Sequence, residues 1–439
     1  MTAVRLRVAA WALLLDACTP LVGSPDAAPG GAPCVGRSSE RGGVVEGDPA
    51  RGVPSTPEVG LHAMGLDRAG NVYLLGAWVL SDHGDEEALV QRLRRDGTVD
   101  RGFGEGGVAR VRPAGGPGYT EFLAMDEDAA GRLLFAGSVC REVPGSRAVA
   151  CRALVARLLA DGRADAGFGR GGQREFGLAA GGGDGPMAAY DVAADGDRVV
   201  VAGSDENQYT PTTAGFVLRL RGDGSLDPDF NGGGVRFDGA ASSIVAVEVT
   251  ARGYVAAGTA RAGGAPRLAA FTREARPDVA FGEQGAVDLA AAGPVDVRAL
   301  VAVPGGGFAL AGPVATDRTR TVVARVDGRG APVASFGGAG HVTLVGAPWA
   351  EFYTHGSALA AQCDGRLALT TWDNPSPPRV RRLLADGAVD RGFGDAGSVG
   401  LSAGTFPLGV AVDPADGALV AVAAPWEENA AASVWRLRP

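Results

Sequence analysis

The sequence contains no lysine. All 41 basic residues are arginine, set against 50 Asp and Glu, for a formal charge of −9. An acidic chain of this kind lacks the basic footprint that nucleic-acid binding requires. Aromatics are sparse at 6%, so a core must be built mainly from Val, Ala and Leu. No run after the first 20 residues is apolar enough to cross a bilayer. There is no GxSxG, no HExxH and no P-loop, and "GGGDGP" (181–186) precedes no helical pattern. Four histidines (His62, His83, His341, His355) are not spaced as metal pairs, and no CxxC occurs. Acid pairs such as Glu86 with Glu87 and Glu427 with Glu428 read as solvated loop charges. No catalytic residue, metal ligand or cofactor is therefore expected. The bias toward Ala, Gly, Pro and Arg reflects a GC-rich coding sequence and carries no functional meaning.

What the chain has in excess is glycine, 70 residues of it. The glycines follow no three-residue period, which excludes collagen and points to many tight turns. They fall in a repeat. "DGTVDRGFGEGGVARVRP" (96–113) returns as "DGRADAGFGRGGQREF", "DGSLDPDFNGGGVRF", "EARPDVAFGEQGAVDL" and "DGAVDRGFGDAGSVGL". The marker phenylalanines are Phe103, Phe168, Phe230, Phe281, Phe336 and Phe393, spaced 51 to 65 residues apart. An aspartate stands three residues earlier in five of them (Asp100, Asp165, Asp227, Asp278, Asp390), and Val333 is the exception. The marker Phe residues are expected to plug the gaps between neighbouring sheets, with each Asp bonding local backbone N–H groups. A repeated calcium site built from pairs such as Asp96 and Asp100 is the sharper alternative, but each pair offers few oxygens.

Each unit carries four short runs of four to eight residues with turn punctuation, which reads as four strands and the grammar of a β-propeller blade. The first three runs occur seven times, beginning near Leu61, Phe122, Ala188, Ile244, Val297, Ala358 and Gly409. The fourth follows a marker only six times, because the last unit stops after "SVWRLRP". "GGVVEGDP" (42–49) matches "GGVARVRP" (106–113) and can supply the missing outer strand. The fold class expected is all-β: a seven-bladed β-propeller whose ring is closed by an N-terminal outer strand completing the C-terminal blade.

The motif DG-x-[LV]-D-x-x-F-[GN]-x-x-G, as in Asp223 to Gly233, resembles the delta-60 repeat family of bacterial exported proteins and is similar to NHL-type propeller grammar. The resemblance covers nearly all of 42–439 and implies a propeller, with no activity or catalytic residues to carry over. Ala275 and Asn231, each in place of Gly, and the irregular fifth unit depart from the pattern. The first residues resemble a bacterial lipoprotein signal: Arg5 and Arg7, the apolar "VAAWALLL", then "LDAC" ending at Cys18, with Asp16 departing from the usual small residue. The domains expected are a signal peptide over 1–18, a flexible Pro/Gly/Ala linker over 19–40 and the propeller over 41–439. The expected location is the outer membrane or cell surface through a lipid on Cys18, otherwise the periplasm or the medium.

Four further cysteines permit two disulfides in an exported chain. Cys140 and Cys151 flank a hairpin between second and third strands and are expected to pair; Cys34 with Cys363 is the remaining pairing. Second-to-third and fourth-to-first connections share one face of the ring and are the longer ones. They hold Tyr209, Trp349, Phe352, Tyr353, His355, Trp372, Asp373 and Trp426, the candidate binding residues; packing between loops is their other reading. The function expected is a monomeric binding or scaffold module for an envelope protein or glycan, touching membrane only through its lipid. The alternatives are an extracytoplasmic hydrolase or lyase at the channel mouth, which requires clustered charged residues there, and a purely structural surface protein.

Overall fold

The computed structural model describes residues 44–46, 59–79, 86–116, 118–143, 149–177, 187–205, 214–237, 243–260, 264–346, 358–372, 376–425 and 432–437. Among them lie seven four-stranded antiparallel sheets. Blade 1 is typical: Val59–Leu66, Val72–Val79, Glu86–Leu93 and Val108–Val111 follow one another outward from the axis. The innermost strands touch in ring order, and the seventh touches the first. The chain is a seven-bladed β-propeller.

The strand patterns follow from where each strand sits. Second strands have a blade on either side, so Arg198–Asp205 is buried along nearly its whole length and reads as an unbroken apolar run. Outermost strands meet solvent, and Val108–Val111 alternates accordingly. The N-terminal strand Val44–Glu46 pairs antiparallel with Ser433–Leu437 as the fourth strand of blade 7, with Val45 opposite Arg436. This is the closure expected from the strand count; the rest of 42–49 lies outside the described residues.

The marker residues explain the repeat. Five of the six phenylalanines are completely buried and Phe393 is 4% exposed. Each lies in an apolar cluster that spans adjacent blades: Phe103 joins blades 1 and 2, Phe168 blades 2 and 3, and so on to Phe393 between blades 6 and 7, the Phe281 cluster also taking in Leu123 and Tyr190 of blades 2 and 3. The glycine after the Phe donates its N–H to the Asp-Gly turn of the next blade, as in Gly169 N–H to Asp223 O at 2.7 Å and Gly104 N–H to Asp161 O at 2.7 Å. Both glycines are required there. Gly169 has φ +55°, and a Cβ on it would lie 2.0 Å from Gln173 O; a Cβ on Gly224 would lie 2.9 Å from Gly169 N and against the Phe168 ring. Phe-Gly of one blade and Asp-Gly of the next therefore form a single clasp. The clasp bond recurs from Gly282 to Arg329 O and from Gly337 to Asp386 O. The two sequence departures, Asn231 and Ala275, fall on the two halves of one joint, between blades 3 and 4. Both adopt positive φ, 47° and 62°.

The marker Asp does bond local backbone, as expected: Asp165 Oδ1 accepts from Gly167 N–H at 2.9 Å. Its other oxygen takes a partner that sequence reasoning missed, an arginine eight residues earlier on the third strand. Arg157 Nε donates to Asp165 at 2.7 Å, Arg219 to Asp227 at 2.8 Å and Arg382 to Asp390 at 2.8 Å. The same guanidinium groups lie 4.3 to 5.0 Å from the marker ring centroids. The aspartates are thus fully engaged. Asp96, its partner in the calcium alternative, accepts from Thr98 N–H at 2.9 Å, and no metal-holding group of His, Cys, Asp and Glu occurs among the described residues.

Cys140 and Cys151 are disulfide-bonded and directly opposed in the hairpin register, as their spacing indicated. Cys363 is also disulfide-bonded; Cys34, its expected partner, lies outside the described residues.

Candidate functional site

At the ring axis the innermost strands of all seven blades enclose a cavity of about 460 Å³. Part of its wall is small and apolar, from Gly65, Ala193, Val301 and Ala411 among others, the lining expected of a scaffold. Blades 1 to 4 depart from this: Asp67, Arg68 and Glu127 also line it, the clustered charge expected of a channel-mouth enzyme, and Asp126, Asp191 and Glu248 stand along one side.

These carboxyls share a bonding pattern. Asp126 Oδ2 accepts from Ala194 N–H at 2.8 Å, Asp191 Oδ2 from Val247 N–H at 2.8 Å, and Glu248 Oε1 from Ala302 N–H at 2.9 Å. Each thus straps its own inner strand to that of the following blade. Asp126 and Asp191 also accept from the N–H of their own next residue. A bulge in the inner strands of blades 2, 3 and 4 shifts the register just before these side chains, which bends the strands around the axis. Burial raises all three pKa values, and mutual repulsion adds to it. Asp191 is pushed up to about 8 and Glu248 to about 7; Asp126 rises for the same reason.

Both titrations weaken the fold as pH rises. In the unfolded chain these groups ionise near pH 4, whereas in the ring they hold their protons toward neutrality. Between those limits the folded state binds more protons, so stability falls with increasing pH, and the loss is complete only above pH 8. Glu248→Gln retains the acceptor for Ala302 N–H and removes the ionisation. It is expected to match wild type near pH 4 and to be about 1–2 kcal/mol more stable at pH 8. Chemical denaturation at the two pH values reads this directly, and an equal difference at both would mean that Glu248 ionises freely in the ring.

Of the candidate binding residues on the long-loop face, only Trp372 is among those described. It is 8% exposed, packs with Phe406, Leu408 and Ala424 of blade 7, and donates its indole N–H to Ser376 O at 2.9 Å. Its ring therefore fills a blade junction, which corrects its reading as a contact residue. Tyr209, Trp349, Phe352, Tyr353, His355, Asp373 and Trp426 lie outside the described residues, as does Cys18. The channel carboxyls went unnoticed in the sequence because "FLAMDE" and "VAVEV" place them at the ends of apolar runs, where an acid signals a turn. Their only trace was an acid at an inward-facing position of an inner strand.

A family model described as "Domain of unknown function (DUF5122) beta-propeller" matches residues 195–230. That segment runs from the second strand of blade 3 through its marker Phe230. No curated protein matches significantly. Among solved structures, the Pyrococcus horikoshii acylaminoacyl peptidase is 10% identical, with a TM-score of 0.46 over 89% of this chain and 53% of that one. A putative 6-phosphogluconolactonase from Bacteroides uniformis is 13% identical, with a TM-score of 0.40 over 79% of this chain and 90% of that one. The chain spans about half the length of the peptidase. Seven closed blades and a matching propeller family model together make this chain a β-propeller repeat protein.

Proposed function

We propose that the protein is an extracytoplasmic binding or scaffold module, held by a lipid on Cys18, that presents its long-loop face to an envelope protein or glycan. The supporting observation is the use made of the channel carboxyls. Asp126, Asp191 and Glu248 each hold a backbone N–H of the neighbouring blade, so they tie the ring together. A hydrolase or lyase would hold such groups clear for a substrate. Two of the trio favour the catalytic reading, because Asp191 and Glu248, titrating near neutrality in a cavity, suit proton transfer. The strapping bonds weigh against it.

The test exchanges loops 347–357 and 426–431 for unrelated sequences of equal length. Intact and exchanged proteins with the same melting behaviour are then compared for what they retain from envelope extract. A component retained by the first and lost by the second supports the reading. Equal retention places the contact elsewhere, and substrate turnover abolished by Asp191→Asn would replace binding with catalysis.

A further inference from the structure

Several arginines on the second, third and fourth strands of this propeller have carboxylate partners. Arg141 pairs with Glu175 at 2.7 Å, Arg236 with Asp205 at 3.2 Å and Arg267 with Asp288 at 2.9 Å. Blade 6 is different. Arg379 occupies the place of Arg267 in the repeat, three residues before the marker-arginine position, and is paired in register with Gly400 where blade 4 has Asp288. Arg381 stands one residue before Arg382, where the corresponding residues of blades 2 to 5 are Ala156, Leu218, Ala269 and Ala324, all buried. A guanidinium thus replaces an interblade apolar side chain, two residues from a second guanidinium on the same face of the strand.

Neither arginine has a carboxylate partner among the described residues. Arg381 donates from Nε to Thr371 Oγ1 at 3.1 Å and from Nη2 to Gly346 O at 3.0 Å. Arg379 donates from Nε and Nη2 to Ser398 Oγ at 3.0 and 2.8 Å. The Nη1 groups of both, and the Thr371 hydroxyl hydrogen, have no protein acceptor among the described residues. Burial and the neighbouring Arg379 both disfavour the charge on Arg381. A chain with nine more acids than bases nonetheless leaves two cations side by side with hydroxyls as their only side-chain partners.

We propose that Arg379, Arg381 and Thr371 form a binding site for an oxyanion, a phosphate, sulfate or carboxylate group of the molecule that docks on the long-loop face. Gly346 and Thr371 place the site at that end of the ring. A forked guanidinium pair with an adjacent hydroxyl matches an oxyanion's several acceptor oxygens, and the bound charge relieves the repulsion between the two cations. The inference rests on the binding reading above, but its test needs no partner.

Thermal melting of the full chain is followed in sodium phosphate, sulfate and acetate against chloride at matched ionic strength. The expected result is a saturable rise in Tm with phosphate or sulfate beyond that in chloride, and the acetate series shows whether a carboxylate suffices. Arg381→Gln and Arg379→Gln each remove the rise. Arg325→Gln, which changes another arginine lacking a carboxylate partner but on the opposite end of blade 5, retains it. Arg379 lies toward the strand end, so its variant keeps the test informative if Arg381→Gln does not fold. No rise beyond chloride, or a rise that persists unchanged in Arg379→Gln, overturns the site. The loop-exchange result stands or falls separately.

Discussion

Phe168→Ala is expected to destabilise the ring by about 3–5 kcal/mol. The side chain is fully buried among Ala124, Leu134 and Val155 of blade 2 and Val201, Phe216 and Leu218 of blade 3. The Arg157 guanidinium lies 4.7 Å from its ring centroid, and the Gly224 turn packs on its edge. Removing the ring opens a cavity that two rigid sheets cannot close, and it strips the cover from the Arg157–Asp165 pair. Reversible denaturation reads the cost, and a loss below about 1 kcal/mol would show that the blades collapse onto the vacancy.

Deleting residues 19–50 is expected to have the other large effect. It removes the strand Val44–Glu46 and leaves the edge of Ser433–Leu437 unpaired. Each ladder hydrogen bond lost is worth on the order of 1 kcal/mol, and the bare edge invites pairing with another chain. The closing joint has no marker Phe and no clasp. Nothing lies near the Cβ position of Gly97, the blade 1 turn glycine that would receive one. Instead Arg95 donates to the buried Asp413 at 2.8 Å and pairs with Asp416 at 2.6 Å, and Arg436 also pairs with Asp413. The Arg95 contacts and the apolar packing of Met64, Leu74 and Leu93 against Phe406, Leu408 and Val422 must then hold blade 7 to blade 1. A marked fall in melting temperature with aggregation is expected, whereas deleting 19–33 should change neither. Equal melting of both truncations and wild type would show that this strand does not close the ring.

Blade number and closure were legible in the sequence because both rest on counting, and a repeated Phe after a turn signals its own burial. The arginine eight residues before four of the five marker aspartates (Asp278 has Ala270 there and pairs with Arg252) was nearly as regular, yet it was hidden: on a third strand, a charged residue between apolar ones reads as the solvent side of a β alternation. In the ring that side faces another blade, and the charge is held by Asp and lies against the Phe. Trp372 shows the opposite failure. Loop length indicates the face on which a segment lies, but not whether its ring turns outward or back into the next blade. Arg381 could be recognised only once the repeats were aligned on the marker and its counterparts in blades 2 to 5 proved to be buried alanine and leucine.

The clasp bears on how the ring assembles. Joints between blades 1 and 2, 2 and 3, and 5 and 6 use the same Phe-Gly and Asp-Gly halves, and the joint between blades 4 and 5 has Arg329-Gly330 in place of Asp-Gly. A half from one blade would therefore fit the turn of a blade that is not its neighbour, and a folding chain could skip or exchange blades. Among the described residues the joint between blades 6 and 7 has Phe393 but shows no clasp bond, and two further joints are distinct. One is between blades 3 and 4, where Asn231 meets Ala275. There Tyr254 donates to Asp195 at 2.6 Å, Arg273 pairs with Asp195 at 3.1 Å, and Arg219 donates to the Tyr254 hydroxyl at 3.2 Å. The other is the closure, with its buried Asp413. These two distinct joints lie on roughly opposite sides of the ring and divide the repeats into two groups, so exchange between similar joints is confined to one group or the other.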